Sequence, residues 1–371
     1  YLHLFAKEQP DLNWSNPETR EKIFDIIRFW NNKGVDGYRI DAISYLDKGL
    51  DGRADLASTE TGTSACANLE GTHQFIHEMV EKTIKPTNLM TVGEVIIRTT
   101  DDLYNYSSQQ RGEFDMTIGF IPPIVEIQTW SPDRFKQNIE ETYLKNKQDG
   151  WWARFLSNHD KPRQVSLYGD DQQWWKESAK MLCCFLHTLP GTPFVYQGEE
   201  IGMTNCSFQS IEEYDDIDTR NFYQELIEQG VSQPNALKQS QMVSRDNART
   251  PIQWNSSLNA GFSSEKPWLP INKNYTEINV ESQLNDDDSI LSFYKKIIAL
   301  RKDKSIMIYG DLQMCCEKEG PVIAYTRGYE QEKWLMIHNF SKDQIIFQSD
   351  VVSSSMKILL GNYKDHIVRD G

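Results

Sequence analysis

The sequence lacks any run of about 18 consecutive apolar residues, so nothing read from it spans a bilayer as a helix. It has no CxxC pair and no Cys/His spacing of the kind that ligates a metal. Its six cysteines, Cys66, Cys183, Cys184, Cys206, Cys315 and Cys316, include two adjacent pairs, which suits buried reduced thiols better than a disulfide frame. A reducing, cytoplasmic setting is the expectation. An excess of positive charge is also missing. The 54 acidic and 39 basic residues leave a formal charge of −15, spread along the chain rather than held in a tail, as a solvated surface would have it. That balance argues against nucleic acid or an anionic membrane as a partner. There is no repeat at a fixed period of about 20–50 residues and no low-complexity tract. Neither an initiator Met nor a signal sequence stands at Tyr1-Leu2-His3-Leu4-Phe5, so residues upstream of Tyr1 are expected.

What is present reads as alternating helices and strands. The 371 residues are long for one domain and suit two. Asn16-Pro17-Glu18 gives an N-cap, a proline at the first helical position and an acid in the first turn. Ile23, Ile26, Ile27 and Trp30 follow at helical spacing, which predicts an apolar stripe against a core, and Gly34 ends the run. Val35 to Asp41 then reads as a strand. The cycle repeats with a helix near Thr72–Ile84 and a strand at Leu89–Glu94. Further strands are predicted at Phe114–Phe120, Ala153–Leu156 and Pro193–Gln197, with helices at Asp133–Lys147 and Gln172–Leu189. Such alternation implies a parallel sheet with helices outside it. From about residue 200 to 286 the chain is polar and rich in Asp and Asn. A last helix, Ser289–Lys302, carries Ile290, Phe293, Ile297 and Leu300 on one face. From about 307 short alternating strands such as Val322–Thr326 and Trp334–Asn339 suggest a small antiparallel β domain.

Three acids follow apolar strands: Asp41 after Gly37-Tyr38-Arg39-Ile40, Glu94 after Thr91-Val92-Gly93, and Asp160 within Phe155-Leu156-Ser157-Asn158-His159-Asp160. In a parallel barrel the C-terminal strand ends converge on one face, so acids at those ends can meet across the sequence. Converging carboxylates are what glycoside hydrolysis requires: one attacks the anomeric carbon, and the other protonates the leaving oxygen and then activates water. Each acid alone is weak evidence, since a strand-end Asp is more often a turn former or helix cap. His159 alone is more readily a satisfied hydrogen-bonding residue, and Arg39 or Arg249 alone an ordinary ion-pair partner. The three acids in order outweigh those readings.

Gly37-Tyr38-Arg39-Ile40-Asp41, Val92-Gly93-Glu94 and Asn158-His159-Asp160 together resemble the α-amylase superfamily of glycoside hydrolases. Tyr1–Trp14 (YLHLFAKEQPDLNW), Gly191–Asn205 (GTPFVYQGEEIGMTN) and Arg245–Trp254 (RDNARTPIQW) narrow the likeness to its oligo-1,6-glucosidase group, over essentially the whole chain. The resemblance implies a (β/α)8 TIM barrel, with about five strands in this chain (residues 1–306), followed by a small antiparallel β-sandwich domain (residues 307–371). It implies a retaining exo-acting α-glucosidase in which Asp41 is the nucleophile, Arg39 its charged neighbour, Glu94 the general acid/base and Asp160 the transition-state stabiliser. His159 and Arg249 would contact the sugar. The expected partner is a small oligosaccharide, the complete protein a monomer, and no cofactor or metal is implied. A calcium site, where the family has one, would lie upstream of Tyr1.

Arg39 lies two residues before Asp41 and so on the same strand face, where its charge favours the carboxylate. Glu94 must be protonated to act as an acid, which desolvation or nearby negative charges would promote. Three segments depart from the group. Ala42 follows the nucleophile, where α-1,6-acting relatives commonly carry valine and α-1,4-acting ones threonine. Val95-Ile96-Ile97-Arg98 and Gly119-Phe120-Ile121-Pro122-Pro123 differ from the usual wording at segments expected to line the leaving-group subsite. Hydrolysis of α-1,6-linked isomalto-oligosaccharides is the first expectation, through a covalent glucosyl-Asp41 intermediate, and activity on maltose, trehalose 6-phosphate or sucrose is the alternative. The contrasting class is a non-catalytic amylase-like binding module, which generally loses the acids that this chain keeps.

Overall fold

The computed structural model describes residues 1–50, 65–120, 130–151, 153–353 and 356–363. Ile121, Pro122 and Pro123 of the altered segment lie outside them, as do residues 364–371 of the expected C-terminal domain. The chain divides into two compact units, Tyr1–Glu126 with Asn138–Ala153, and Ile127–Gln137 with Arg154–Gly371.

In the first unit, helix α1 (Pro17–Asn31) starts where the sequence placed it, with the Glu18 N–H donating to Asn16 Oδ1 at 2.9 Å. Its buried residue is Phe24, however, while Ile26 and Trp30 stand about half exposed. The expected stripe is thus rotated. Phe24 turns inward beneath the Lys82 ammonium, 5.5 Å from its ring, and helical spacing alone could not choose between the two neighbouring faces. Strand β1 (Gly37–Ile40) follows and is tied back to α1 by the Tyr38 hydroxyl, which donates to Asn31 Oδ1 at 2.5 Å and Ile27 O at 3.0 Å. Helix α2 (Glu70–Met79) runs on as a π-helical turn, Val80–Ile84, and leads to β2 (Met90–Ile96). Helix α3 (Thr100–Ser107) begins with a reciprocal capping box between Thr99 and Asp102 and precedes β3 (Met116–Phe120).

The three strands form one parallel sheet in the order β1-β2-β3, with Ile40 opposite Gly93 and Glu94 opposite Ile118. Because they are parallel, their C-terminal ends lie on one side, and the residue after Ile40 falls in register beside the residue after Gly93. That pair is Asp41 and Glu94. Val92, Val95, Tyr106 and Phe114 are buried around this sheet.

In the second unit, β4 (Ala153–Arg154) and β5 (Thr192–Pro193) form a two-stranded sheet, shorter than the sequence suggested. Helix α4 (Pro132–Asn146), whose residues from Asn138 on are counted in the first unit, matches its predicted span closely, as does helix α5 (Trp175–Thr188). The polar stretch after residue 200 holds two helices that apolar spacing did not reveal, α6 (Ile217–Glu228) and α7 (Gln233–Val243). They escaped because α6 buries only Thr219 and Leu226, and α7 only Ala236 and Ser240. A short helix α8 (Asp246–Arg249) and the expected α9 (Ile290–Asp303) follow. Strands β6 (Asp311–Met314), β7 (Val322–Tyr329) and β8 (Glu332–Asn339) make an antiparallel sheet, as read from the sequence.

Aromatic packing and buried arginines hold this unit together. Phe185 meets Phe135 at 5.7 Å and Phe340 at 5.4 Å between ring centres. Arg301 donates to the carbonyls of His187 (2.5 Å) and Met307 (2.8 Å), and Arg327 to those of Thr188 (2.5 Å), Met307 (3.1 Å) and Gly310 (2.8 Å). The two guanidiniums therefore satisfy the carbonyls at the end of α5, which a helix leaves without intrahelical partners. Among the described residues no helix is long and apolar enough to cross a membrane. All six cysteines are free.

Replacing Arg327 with methionine keeps much of the side-chain volume but strips those buried carbonyls of their donor. The expected loss is roughly 2–4 kcal/mol, read as a lowered urea midpoint. An unchanged midpoint would show that water or neighbouring donors supply the carbonyls instead.

Candidate active site

In the first unit the register delivers Asp41 and Glu94 to the same guanidinium. Arg39 Nη1 pairs with Asp41 Oδ1, and Arg39 Nη2 lies 2.5 Å from Glu94 Oε1. The Asp41 side chain is 74% exposed and that of Glu94 only 14%. Asp41 is thus open to a reactant while Glu94 sits against protein. The burial expected of Glu94 is present, but its Oε1 meets the cation Arg39, with Asp41 held on the far side of it. The other Glu94 oxygen accepts the Ala42 N–H at 3.0 Å. Ala42 is left-handed, with φ at +46°, a conformation that costs a residue bearing a Cβ about 1–2 kcal/mol. The turn after Asp41 is therefore held in a costly shape whose amide points at the neighbouring carboxylate. On the other side, Gly93 lies so close to Phe114 that an added Cβ would fall 2.5 Å from the ring, so this step of β2 admits only glycine.

In the second unit, Asn158-His159-Asp160 forms the turn after β4. Asn158 Oδ1 accepts the Asp160 N–H at 2.8 Å, an Asx turn that fixes the loop locally. Asp160 Oδ1 accepts from Arg249 Nη2 at 2.7 Å, and His159 Nε2 lies 3.1 Å from Asp160 Oδ2. Arg249 Nε also donates to the His159 carbonyl at 2.9 Å. Arg249, His159 and Asp160 are therefore one contiguous group, although about ninety residues separate the arginine from the pair.

Three residues beside this group were not read from the sequence. Arg245, four residues before Arg249, lies 3.7 Å from Asp160 and pairs with Asp216 at 2.5 Å and Asp218 at 2.8 Å. Its helical spacing from Arg249 within RDNARTPIQW was the available signal. Arg163 is 1% exposed and Glu199 is 2% exposed, and neither follows a periodic pattern that marks it. The Ser157 hydroxyl, one residue before Asn158, donates to Glu199 Oε1 at 2.5 Å, while Glu199 Oε2 is buried with no hydrogen-bond partner. Burial pushes the Glu199 carboxyl up to about 8. The Ser157 hydrogen bond, the Tyr196 backbone and Arg163 oppose that rise, and Glu200 adds to it. Cys183 and Tyr294 face it as well.

Among the described residues no group of three His, Cys, Asp or Glu side chains could hold a metal ion. A cleft of about 880 Å³ lies elsewhere in the second unit, lined by Gln209, Glu212, Arg220, Tyr223, Gln224 and Leu237, and contains none of the acids discussed above.

Comparison with known proteins identifies the family. Residues 1–310 match the family described as alpha amylase, catalytic domain. The oligo-1,6-glucosidase of Bacillus cereus is 38% identical over 98% of this chain and 68% of its own length. The crystal structure of Bacillus licheniformis trehalose-6-phosphate hydrolase superposes with a TM-score of 0.91 at 37% identity, covering 99% of this chain and 68% of that one. Isomaltulose synthase from Klebsiella sp. LX3 superposes with a TM-score of 0.83 at 37% identity, over 92% of this chain and 64% of that one. The chain spans about two thirds of the length of these relatives.

Glu199 makes stability depend on pH. Its folded-state value of about 8 exceeds the ordinary 4.5, so the folded protein binds the proton more tightly. The stability this contributes is complete below about 4.5 and is lost as pH rises toward about 8. Glu199→Gln cannot titrate, so its unfolding free energy should gain on the native protein across that window by roughly 3–5 kcal/mol. A difference that stays flat with pH in thermal or urea unfolding contradicts the assignment of a protonated Glu199.

Proposed function

The chain belongs to the α-amylase family, and on that premise we propose that it carries the catalytic groups of a retaining α-glucosidase acting at the non-reducing end of short α-glucosides. The family's catalytic domain is a (β/α)8 barrel with a C-terminal β domain. We assign residues 1–306 to the barrel and 307–371 to the β domain, with β1 to β5 as five of the eight strands. The observation that carries the reading is the pair of carboxylates, Asp41 and Glu94, gripped by the two amino nitrogens of Arg39 at adjacent parallel strand ends. Two carboxyl groups close together are the requirement of the retaining mechanism, in which one is nucleophile and the other acid, then base.

Asp41, exposed and beside a cation, attacks the anomeric carbon and forms a glucosyl ester as the bond to the leaving oxygen breaks. Glu94 gives its proton to that oxygen, then takes one from water as water attacks the ester. To do so Glu94 must hold a proton in the substrate complex, so its contact with Arg39 loosens when sugar arrives. Asp160, oriented by Arg249 and His159, accepts hydrogen bonds from ring hydroxyls, which strengthen as the sugar flattens toward the oxocarbenium-like state. No cofactor enters this scheme. The α-1,6 linkage is the preferred assignment, on the strength of the oligo-1,6-glucosidase relatives.

The test is the full-length protein assayed on isomaltose, maltose, trehalose 6-phosphate and sucrose. Asp41→Asn should lower kcat by at least about 10³-fold on whichever sugar is cleaved, and near-native turnover in that variant removes Asp41 from the mechanism. Glu94→Gln should lose far more activity on isomaltose than on an aryl α-glucoside with a good leaving group, which needs little acid assistance. Equal losses on both contradict the acid role.

A further inference from the structure

We infer that Arg163 is a positioning residue that sets Arg249 against Asp160 by fixing the backbone immediately before Arg249; the inference rests on the sugar-binding reading of that pair. Arg163 closes the loop that carries His159 and Asp160, and its guanidinium reaches three separate carbonyls. Nη1 donates to Gln197 O at 2.6 Å, Nη2 to Ala248 O at 3.0 Å and Nε to Asn247 O at 3.2 Å. Its own N–H donates to Asn205 Oδ1 at 2.9 Å. From Asp160 the path runs through Lys161 and Pro162 to Arg163, across to Ala248, along one peptide to Arg249, and back to Asp160 at 2.7 Å. That ring is short and made of covalent bonds and charge-assisted hydrogen bonds, so a shift of Arg163 moves the Arg249 head directly.

Two further contacts stiffen the same anchor. The Tyr196 hydroxyl also donates to Ala248 O, at 3.0 Å, and the Tyr196 ring lies 5.3 Å from the Arg163 guanidinium. At the other end of the loop the Ser157 hydroxyl is held by Glu199, two residues from Gln197. The Asp160 loop is thereby fastened at both ends to the 197–199 segment. A lysine at 163 would carry its three donors on one nitrogen, and so could not reproduce the planar fork that meets the three carbonyls from three separate nitrogens.

The experiment uses the full-length protein and an aryl α-glucoside. Arg163→Lys should raise KM and lower kcat/KM by about tenfold or more, with the fraction of active sites unchanged on titration. Tyr196→Phe, a milder change at the same anchor, should lower kcat/KM by a factor of about two to five. In an Arg249→Ala background both should cost less than about twofold, because the group they position is gone. Folded Arg163→Lys protein with native kinetic constants overturns the inference, as does the same factor lost in both backgrounds. If Arg163→Lys does not fold, additive losses from Tyr196→Phe and Arg249→Ala overturn it. Native kcat/KM in Asp160→Asn and Arg249→Ala themselves is a different failure, which sinks the sugar-binding reading and the inference with it.

Discussion

The grip of one guanidinium on two carboxylates is the constraint around which the first unit is arranged. Left without Arg39, Asp41 and Glu94 at adjacent strand ends would repel, and the register that brings them together would work against itself. Around that grip the local structure leaves little freedom. Gly93 lets Phe114 close on β2, the left-handed Ala42 aims its amide at Glu94, and the Tyr38 hydroxyl ties β1 to α1. Arg39 lies partly open to solvent, so as a surface ion pair it would stabilise the fold little. Its value is geometric: it fixes which way two carboxylates face.

The second unit uses the same chemistry for a different end. Arg163, Arg301 and Arg327 are buried and donate to backbone carbonyls at helix ends and loops. A guanidinium has five donors in a rigid plane, so it can satisfy several carbonyls that face one another across a gap. In this way the Asp160 loop, the short helix ending at Arg249 and the end of α5 are held by side chains rather than by long sheet ladders.

Most of the element order was legible in the sequence because it depends on local rules. Asn16-Pro17, Ser289 and the runs of Val, Ile and Phe specify caps, helices and strands within a few residues of where they occur. The strands that carry Asp41 and Glu94 at their ends were legible because a run of apolar and β-branched residues is a local pattern as well. Three things were not. The face of α1 that turns inward depends on Lys82 and its neighbours, far away in sequence, so Ile26 and Trp30 were placed in a core they do not enter. Helices α6 and α7 bury few apolar side chains, so no stripe marks them. Arg163 and Glu199 hold their places through polar contacts with segments remote in sequence, which neither composition nor spacing encodes, and for Arg245 the spacing from Arg249 was the one local signal.

The most direct measurement of the account is covalent trapping. The full-length protein would be incubated with a fluorinated α-glucosyl fluoride, whose good leaving group speeds formation of the glycosyl ester while the ring fluorine slows its hydrolysis, and then digested for mass spectrometry. The account predicts one added fluoroglucosyl group, on the peptide that contains Asp41. A label on Glu94 or another residue, or turnover of the reagent with no ester formed, would contradict it.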